Sequence, residues 1–282
     1  MRASRRIGGR ERAAPRRAPP ADLVEAQKRA ASGGAAEALA DLDRLLTRYP
    51  GDARVWHLKG AVLLAQGAVG AAGEALERAR ALAPDDPAIL SNLAIACHRE
   101  GKGQRALRHL EDAVRHAPDA APIRFNLGRL ALELGRAAEA RRALQATLEL
   151  EPGHLKARLE LARLVLDQDG PAAARSILEP VHASAAAAPA MARVARAEGR
   201  PDEACRHLEA ALRADPRNVP LRLDLGFCLQ EAGRFDDALD LYRRLLTEEQ
   251  SLYPLVERQL TGASAGRLWL DRKDLERALG LA

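Results

Sequence analysis

Asparagine and arginine recur in this 282-residue chain at related spacings: 34 residues separate Asn92 from Asn126 and Arg129 from Arg163, and 30 separate Arg163 from Arg193. Arg196 lies about one helical turn beyond Arg193. A guanidinium fork recognises carboxylates through charge-assisted, often bidentate bonds. An asparagine amide donates and accepts along a peptide backbone at once. The chemistry these residues offer is recognition of an acidic segment or a free carboxylate. A plainer reading stands beside it, because arginine is abundant here and an arginine on a helix face is commonly solvated or paired with a neighbouring carboxylate.

Residues that could carry out a reaction do not assemble in the sequence. The seven histidines, His57, His98, His109, His116, His154, His182 and His207, show neither HExxH nor paired metal spacing. No GxSxG, no GxxxxGK[ST], and no GxGxxG between a strand and a helix occurs. The chain is expected not to be an enzyme, and to need no cofactor and no metal. The three cysteines, Cys97, Cys205 and Cys228, form an odd set without CxxC spacing and are read as structural thiols.

The elements that must position these side chains follow from an internal repeat. Pro50, Pro84, Pro118 and Pro152 are 34 residues apart; Gly33, Gly67, Gly101 and Gly135 keep the same step, which resumes at Gly199 and Gly233. Ala38, Ala72, Ala106, Ala140 and Ala174 form a third ladder, followed by Ala204 after 30 residues and Ala238 after 34. Within a period, Trp56, Gly60, Leu63 and Leu64 recur at helical spacing before the glycine, and Ala72, Leu76, Ala79 and Leu82 after it. Each unit therefore reads as helix, short turn, helix, with glycine supplying the positive φ of the turn and proline stopping the second helix.

This pattern resembles the tetratricopeptide repeat family. Trp56, Gly60, Ala72, Ala79 and Pro84 match its signature in one unit, with Lys59, Leu63 and Leu76 in place of its usual Leu, Tyr and Phe. Leu127, Gly128, Ala140 and Pro152 match in another; Leu225, Gly226, Ala238 and Tyr242 match in a third, where Gln250 replaces the terminal proline. The resemblance implies an all-α fold, a right-handed α-solenoid of helical hairpins, over about residues 21–250 in seven units, the first degenerate in its leading helix. It also implies a concave face lined by the first helix of each hairpin, where extended peptides lie. Asn92 and Asn126 match a position at which the family often carries a backbone-binding asparagine. Arg129, Arg163, Arg193 and Arg196 are expected on the same face, with His57, His98 and Phe125 projecting inward. The family's carboxylate clamp is not reproduced in full in any consecutive units. The expected partner is a protein or peptide, acidic or carrying a free C-terminal carboxylate, and the expected role is that of an adaptor or scaffold. Resemblance to repeats found beside bacterial transferases supplies the alternative of an accessory or regulatory subunit of a separate enzyme.

Three features break the period. Between Ala174 and Ala204 four residues are missing, and Pro180 enters a second helix; that helix is expected to end near Glu179, with a new one opening near Pro189. The change reads either as a weak point between five units and two or as a deletion absorbed by a shorter helix. Beyond residue 250, Leu252, Leu255, Val256 and Leu260 share one helical face, Arg267 to Leu270 reads as extended, and Asp271 caps a last helix bearing Leu275, Ala278 and Leu279. Residues 251–282 are thus expected to cap the array, with Trp269 buried or serving as a docking anchor. Residues 1–20 hold seven arginines and one glutamate, whereas the rest of the chain has a net charge of −1. This basic tail reads as disordered or as the result of an incorrectly assigned start codon; it also admits contact with nucleic acid or an anionic surface. With a nearly neutral body and no aromatic interleaving in the tail, a dedicated nucleic-acid protein is not expected. No apolar run reaches the roughly 18 residues of a membrane span, and the tail lacks the apolar block of a secretory signal, so the chain is expected in the cytoplasm.

Overall fold

A hairpin of two amphipathic helices cannot bury its apolar side alone, so the repeat pattern demands stacking. The computed structural model, which describes residues 17–261 and 272–280, contains such stacks and, among those residues, no strand. The chain falls into two compact units, Met1–Leu150 and Glu151–Ala282. In the first unit, four hairpins are formed by α1 (Pro20–Ala31) and α2 (Ala35–Arg48), α3 (Ala53–Ala65) and α4 (Val69–Leu82), α5 (Pro87–Arg99) and α6 (Gly103–His116), and α7 (Ala121–Glu133) and α8 (Ala137–Leu150). In the second, α9 (Leu155–Gln168) and α10 (Pro171–Leu178), α11 (Ala188–Ala197) and α12 (Pro201–Ala214), and α13 (Val219–Glu231) and α14 (Phe235–Glu248) form three more. That unit closes with α15 (Tyr253–Thr261) and α16 (Arg272–Ala278). Each unit is an α-solenoid of hairpins.

The three sequence ladders correspond to three mechanical parts. Gly67, at φ 77°, ends α3; its neighbour Ala68 donates its amide to the Leu63 carbonyl at 3.0 Å, the six-residue closure that satisfies a helix end. The same closure recurs from Lys102 to Cys97 and from Arg234 to Leu229. Every alanine of the ladder, from Ala38 to Ala238, is fully buried between paired helices. The glycines of the first helices let those helices touch: a Cβ on Gly60 would lie 2.5 Å from Leu76 Cγ, and one on Gly226 would lie 2.5 Å from Tyr242 Cζ. A polar ladder escaped the sequence reading. Asp52 and Asp86, 34 residues apart, cap α3 and α5 by accepting from the Arg54 and Ala88 amides at 3.0 and 2.9 Å.

The interruption lies inside the second unit, one hairpin beyond the boundary at Leu150. Helix α10 has eight residues and ends at Leu178; Pro180 sits in a 3-10 turn, Glu179–Val181, and a second such turn, Ala185–Ala187, leads into α11. Helix α10 nevertheless packs against both α9 and α11. Arg175 fastens it there, donating to Glu198 at 2.9 Å and to Glu203 at 2.9 Å, and Arg200 also reaches Glu198 at 2.7 Å. The Arg175 guanidinium holds Glu198 below the usual carboxylate range; Glu203 is also lowered, as Arg175 and Arg200 outweigh the opposing effect of burial.

Two expectations are corrected at the chain ends. Leu255 is 45% exposed, while Leu252, Val256 and Leu260 are buried. Gln250–Leu252 form a 3-10 turn before α15 begins, so the buried face runs through positions four apart and leaves Leu255 to one side. Nor does the tail extend to residue 20. Pro20 opens α1, and Ala18, nearly fully buried, donates its amide to Asp52 Oδ2 at 2.8 Å while Arg54 donates to its carbonyl at 2.9 Å. Residues 1–16, the segment from Arg267 to Leu270 with Trp269, Asp271, and the Leu275 side chain lie outside the described residues. Leu279, after α16, joins the core formed with Leu245, Leu246, Val256 and Leu260. Among the described residues, no helix is long and apolar enough to cross a membrane.

Gly226→Ala should lower unfolding stability by about 1–3 kcal/mol through the clash with Tyr242. Gly153→Ala, whose Cβ meets nothing within 4 Å, should leave stability within about 0.5 kcal/mol; urea denaturation separates the two. Arg175→Met should cost about 1–3 kcal/mol at pH 7. Glu198 and Glu203 have folded pKa values below the unfolded 4.5, so their stabilisation is present above that pH and is lost as pH falls through the lowered values. The difference between Arg175→Met and wild type should therefore shrink in denaturation curves taken at progressively more acid pH.

Candidate functional site

The residues singled out from the sequence all lie on the first helices of their hairpins, and the first unit brings most of them together. His57 on α3 is half-buried, and burial pushes its imidazole below the usual histidine range, overcoming the opposing pull of Asp86. Asn92 Nδ2 of α5 lies 2.8 Å from His57 Nε2 and donates to the neutral ring. Asn92 is thus engaged within the fold. Asn126, one repeat later on α7, is half-buried and has no hydrogen-bond partner among the described residues.

Asn126 lines a groove of about 240 Å³ between α5 and α7 together with His98 and Arg129. Ala94, Ile95 and Leu130 give the groove an apolar floor. Glu133 also lines it: His98 Nε2 of α5 meets Glu133 Oε2 at 2.8 Å, and Arg129 reaches Glu133 Oε1 only at 3.5 Å. The Arg129 guanidinium lies 6.0 Å from the centre of the Phe125 ring, and its side chain is 52% exposed. Phe125 therefore supports the cation from beneath, at the outer limit of a cation–π contact. The arrangement offers an unpaired amide, a lightly held guanidinium and a small apolar floor within one recess. It can bind; among the described residues no three His, Cys, Asp or Glu side chains gather to hold a metal ion.

The other predicted arginines belong to the second unit, in different states. Arg163 is exposed and donates to Glu160 on its own helix at 3.2 Å. Arg196 is held by Glu231 of α13, with bonds of 2.5 and 3.0 Å, and lies 4.4 Å above the Phe227 ring. Arg193, exposed one turn earlier, and Arg196 both act on Asp224, whose carboxyl is pushed up by burial against their pull. Arg196, Asp224 and Phe227 line a cleft of about 290 Å³ with Arg258 and Gln259. Sequence reasoning missed Glu133, Glu231, Asp224 and Phe227. Glu133 was legible, since it stands four residues after Arg129 on one helix. Glu231 is 35 residues from Arg196 and meets it only because successive first helices pack side by side.

Comparisons with known proteins agree with this architecture. The family described as tetratricopeptide repeat matches residues 98–149, 131–196 and 195–256, and a second family model of the same description matches residues 23–87. No curated protein matches the sequence. Among solved structures, PilF of Pseudomonas aeruginosa superposes with a TM-score of 0.63 at 19% identity, covering 73% of this chain and 93% of its own. PilW, described as a widely conserved type IV pilus biogenesis factor, gives a TM-score of 0.63 at 19% identity, over 73% of this chain and 98% of its own. A tetratricopeptide repeat protein from Parabacteroides merdae gives 0.62 at 15% identity over 93% of this chain and 97% of its own. At these identities the likeness concerns the fold alone. The matched repeats cover well over half of the sequence, and the chain belongs to the tetratricopeptide repeat family.

Proposed function

We propose that this chain is a binding scaffold that holds an extended peptide or protein segment in the groove between α5 and α7. The observation that carries the reading is the unpaired Asn126 amide beside Arg129 above an apolar floor. An amide not committed within the fold can donate to and accept from a peptide backbone at once. Arg129, whose bond to Glu133 is long, is available for an aspartate, a glutamate or a terminal carboxylate. Ile95 and Leu130 accept one small aliphatic side chain. The partner is therefore a segment with an acidic group next to an apolar residue. His57 and Asn92 act by position, fixing α5 against α3.

A cytoplasmic setting belongs to the same reading. Cys97, Cys205 and Cys228 are all buried and unpaired, which suits a reducing compartment. Burial pushes the Cys205 thiol up to about 11 and the Cys228 thiol up to about 12, so both stay protonated and unreactive at neutral pH.

The test is affinity purification from the native host, with wild type run beside Asn126→Ala/Arg129→Glu and the recovered proteins identified by mass spectrometry. At least one protein should be retained by the wild type and lost by the variant, with its measured affinity lowered about tenfold or more. Circular dichroism and melting temperature should be unchanged. Equal recovery on both baits rejects the groove.

A further inference from the structure

Helix α4 presents an outer face that nothing within the first unit accounts for. Gly70 and Ala71 in its first turns, Glu74, Arg78, Ala81 and Leu82 are all exposed, and at 100° per residue they form one stripe. Leu82 is a large apolar side chain left 45% exposed. Gly70 is the opposite case: a Cβ built there meets nothing within 4 Å, and it is not among the positive-φ glycines. Neither a close neighbour nor a strained backbone requires glycine at that site, the second position of α4. Gly60, Gly128 and Gly226, by contrast, each have a facing side chain within 3 Å of a built Cβ.

The charges on this face are left open in the same way. Glu74 and Arg78 stand four apart with the acid first, the order that ordinarily pairs on a helix, yet neither has a partner among the described residues. Their neighbours are matched: Lys59 with Asp43 at 2.6 Å, Arg105 with Glu77 at 2.6 Å, and Lys102 with Glu100 at 2.8 Å. A trough of about 1040 Å³ runs along the helix, with Trp56, Leu63 and Leu93 in its walls.

The stripe is its own complement when reversed. About a point at Leu76, Gly70 exchanges with Leu82, Ala71 with Ala81, and Glu74 with Arg78. We propose that the outer face of α4 is a self-association surface, on which a second copy of this chain lays its own α4 antiparallel about a two-fold axis at Leu76. In that register each Leu82 fills the space left by the other copy's Gly70. Each Glu74 meets the other's Arg78, giving two ion pairs, and Ala71 and Ala81 allow the helix axes to approach closely. One surface thus explains the exposed leucine, the unrequired glycine and the two unmatched charges. It lies on a second helix and uses none of the groove residues, so it stands or falls separately from the peptide-binding reading.

The experiment is sedimentation equilibrium of the full chain across a wide concentration range. Wild type should show a monomer–dimer equilibrium. Glu74→Arg and Arg78→Glu should each raise the dimer dissociation constant about tenfold or more, and the double exchange Glu74→Arg/Arg78→Glu should restore it to within about threefold of wild type. Gly70→Leu, which blocks the seat of Leu82, should leave only monomer, with helicity by circular dichroism unchanged because its side chain faces open space. A wild type that stays monomeric throughout overturns the proposal and leaves the trough to some other molecule. A dimer indifferent to Glu74→Arg and Gly70→Leu overturns it too, as does a charge exchange that fails to rescue.

Discussion

The close approach of two helices within each hairpin is the contact on which everything else rests. It is made where side chains are smallest: the alanine ladder is fully buried, and Gly60, Gly128 and Gly226 receive Leu76, Leu144 and Tyr242 directly onto their backbones. Helices that touch backbone to side chain have little freedom to slide, since a shift by one residue would bring a larger side chain into a space with no room. This fixes the angle at which each first helix is presented. The groove between α5 and α7 inherits its shape from that packing, and Asn126 and Arg129 are held at its rim by a helix whose opposite side is locked.

Electrostatics divides the surface into matched and unmatched groups. Several arginines have carboxylate partners: Arg163 has Glu160, Arg175 has Glu198 and Glu203, and Arg196 has Glu231. A cation already held by a neighbouring carboxylate gains little from a new partner, because it must first release the old one. In the proposed reading, recognition concentrates where the matching is incomplete. A row of arginines in the sequence becomes, in the structure, a lightly held guanidinium beside a groove, two bonded to carboxylates, Arg163 and Arg196, and an exposed one, Arg193, that acts on Asp224 only through its charge.

What the sequence could reveal follows the reach of each interaction. The hairpins were legible because glycine turns, proline stops and buried alanines act over a few residues and repeat with a fixed period. The break at Pro180 was legible for the same reason, since a proline ring excludes the helix locally. Leu255 was misplaced because a 3-10 turn, which no residue type announces, rotated the start of α15. Asn126 and Arg129 were found by register, yet whether they were free was not. Asn92 holds an equivalent position and is engaged by His57, a residue 35 positions away whose protonation depends on its burial. Such pairings depend on the stacking of hairpins, which no local spacing encodes.

The anchoring of Ala18 has a practical consequence. Because Asp52 and Arg54 grip its backbone from the head of α3, the chain enters the fold at a fixed place and not on a loose tether. A dye or crosslinker attached at Arg17 would be confined to a short radius around that point. Distances measured from it by energy transfer would then report on the protein's own geometry, with little blurring from the linkage.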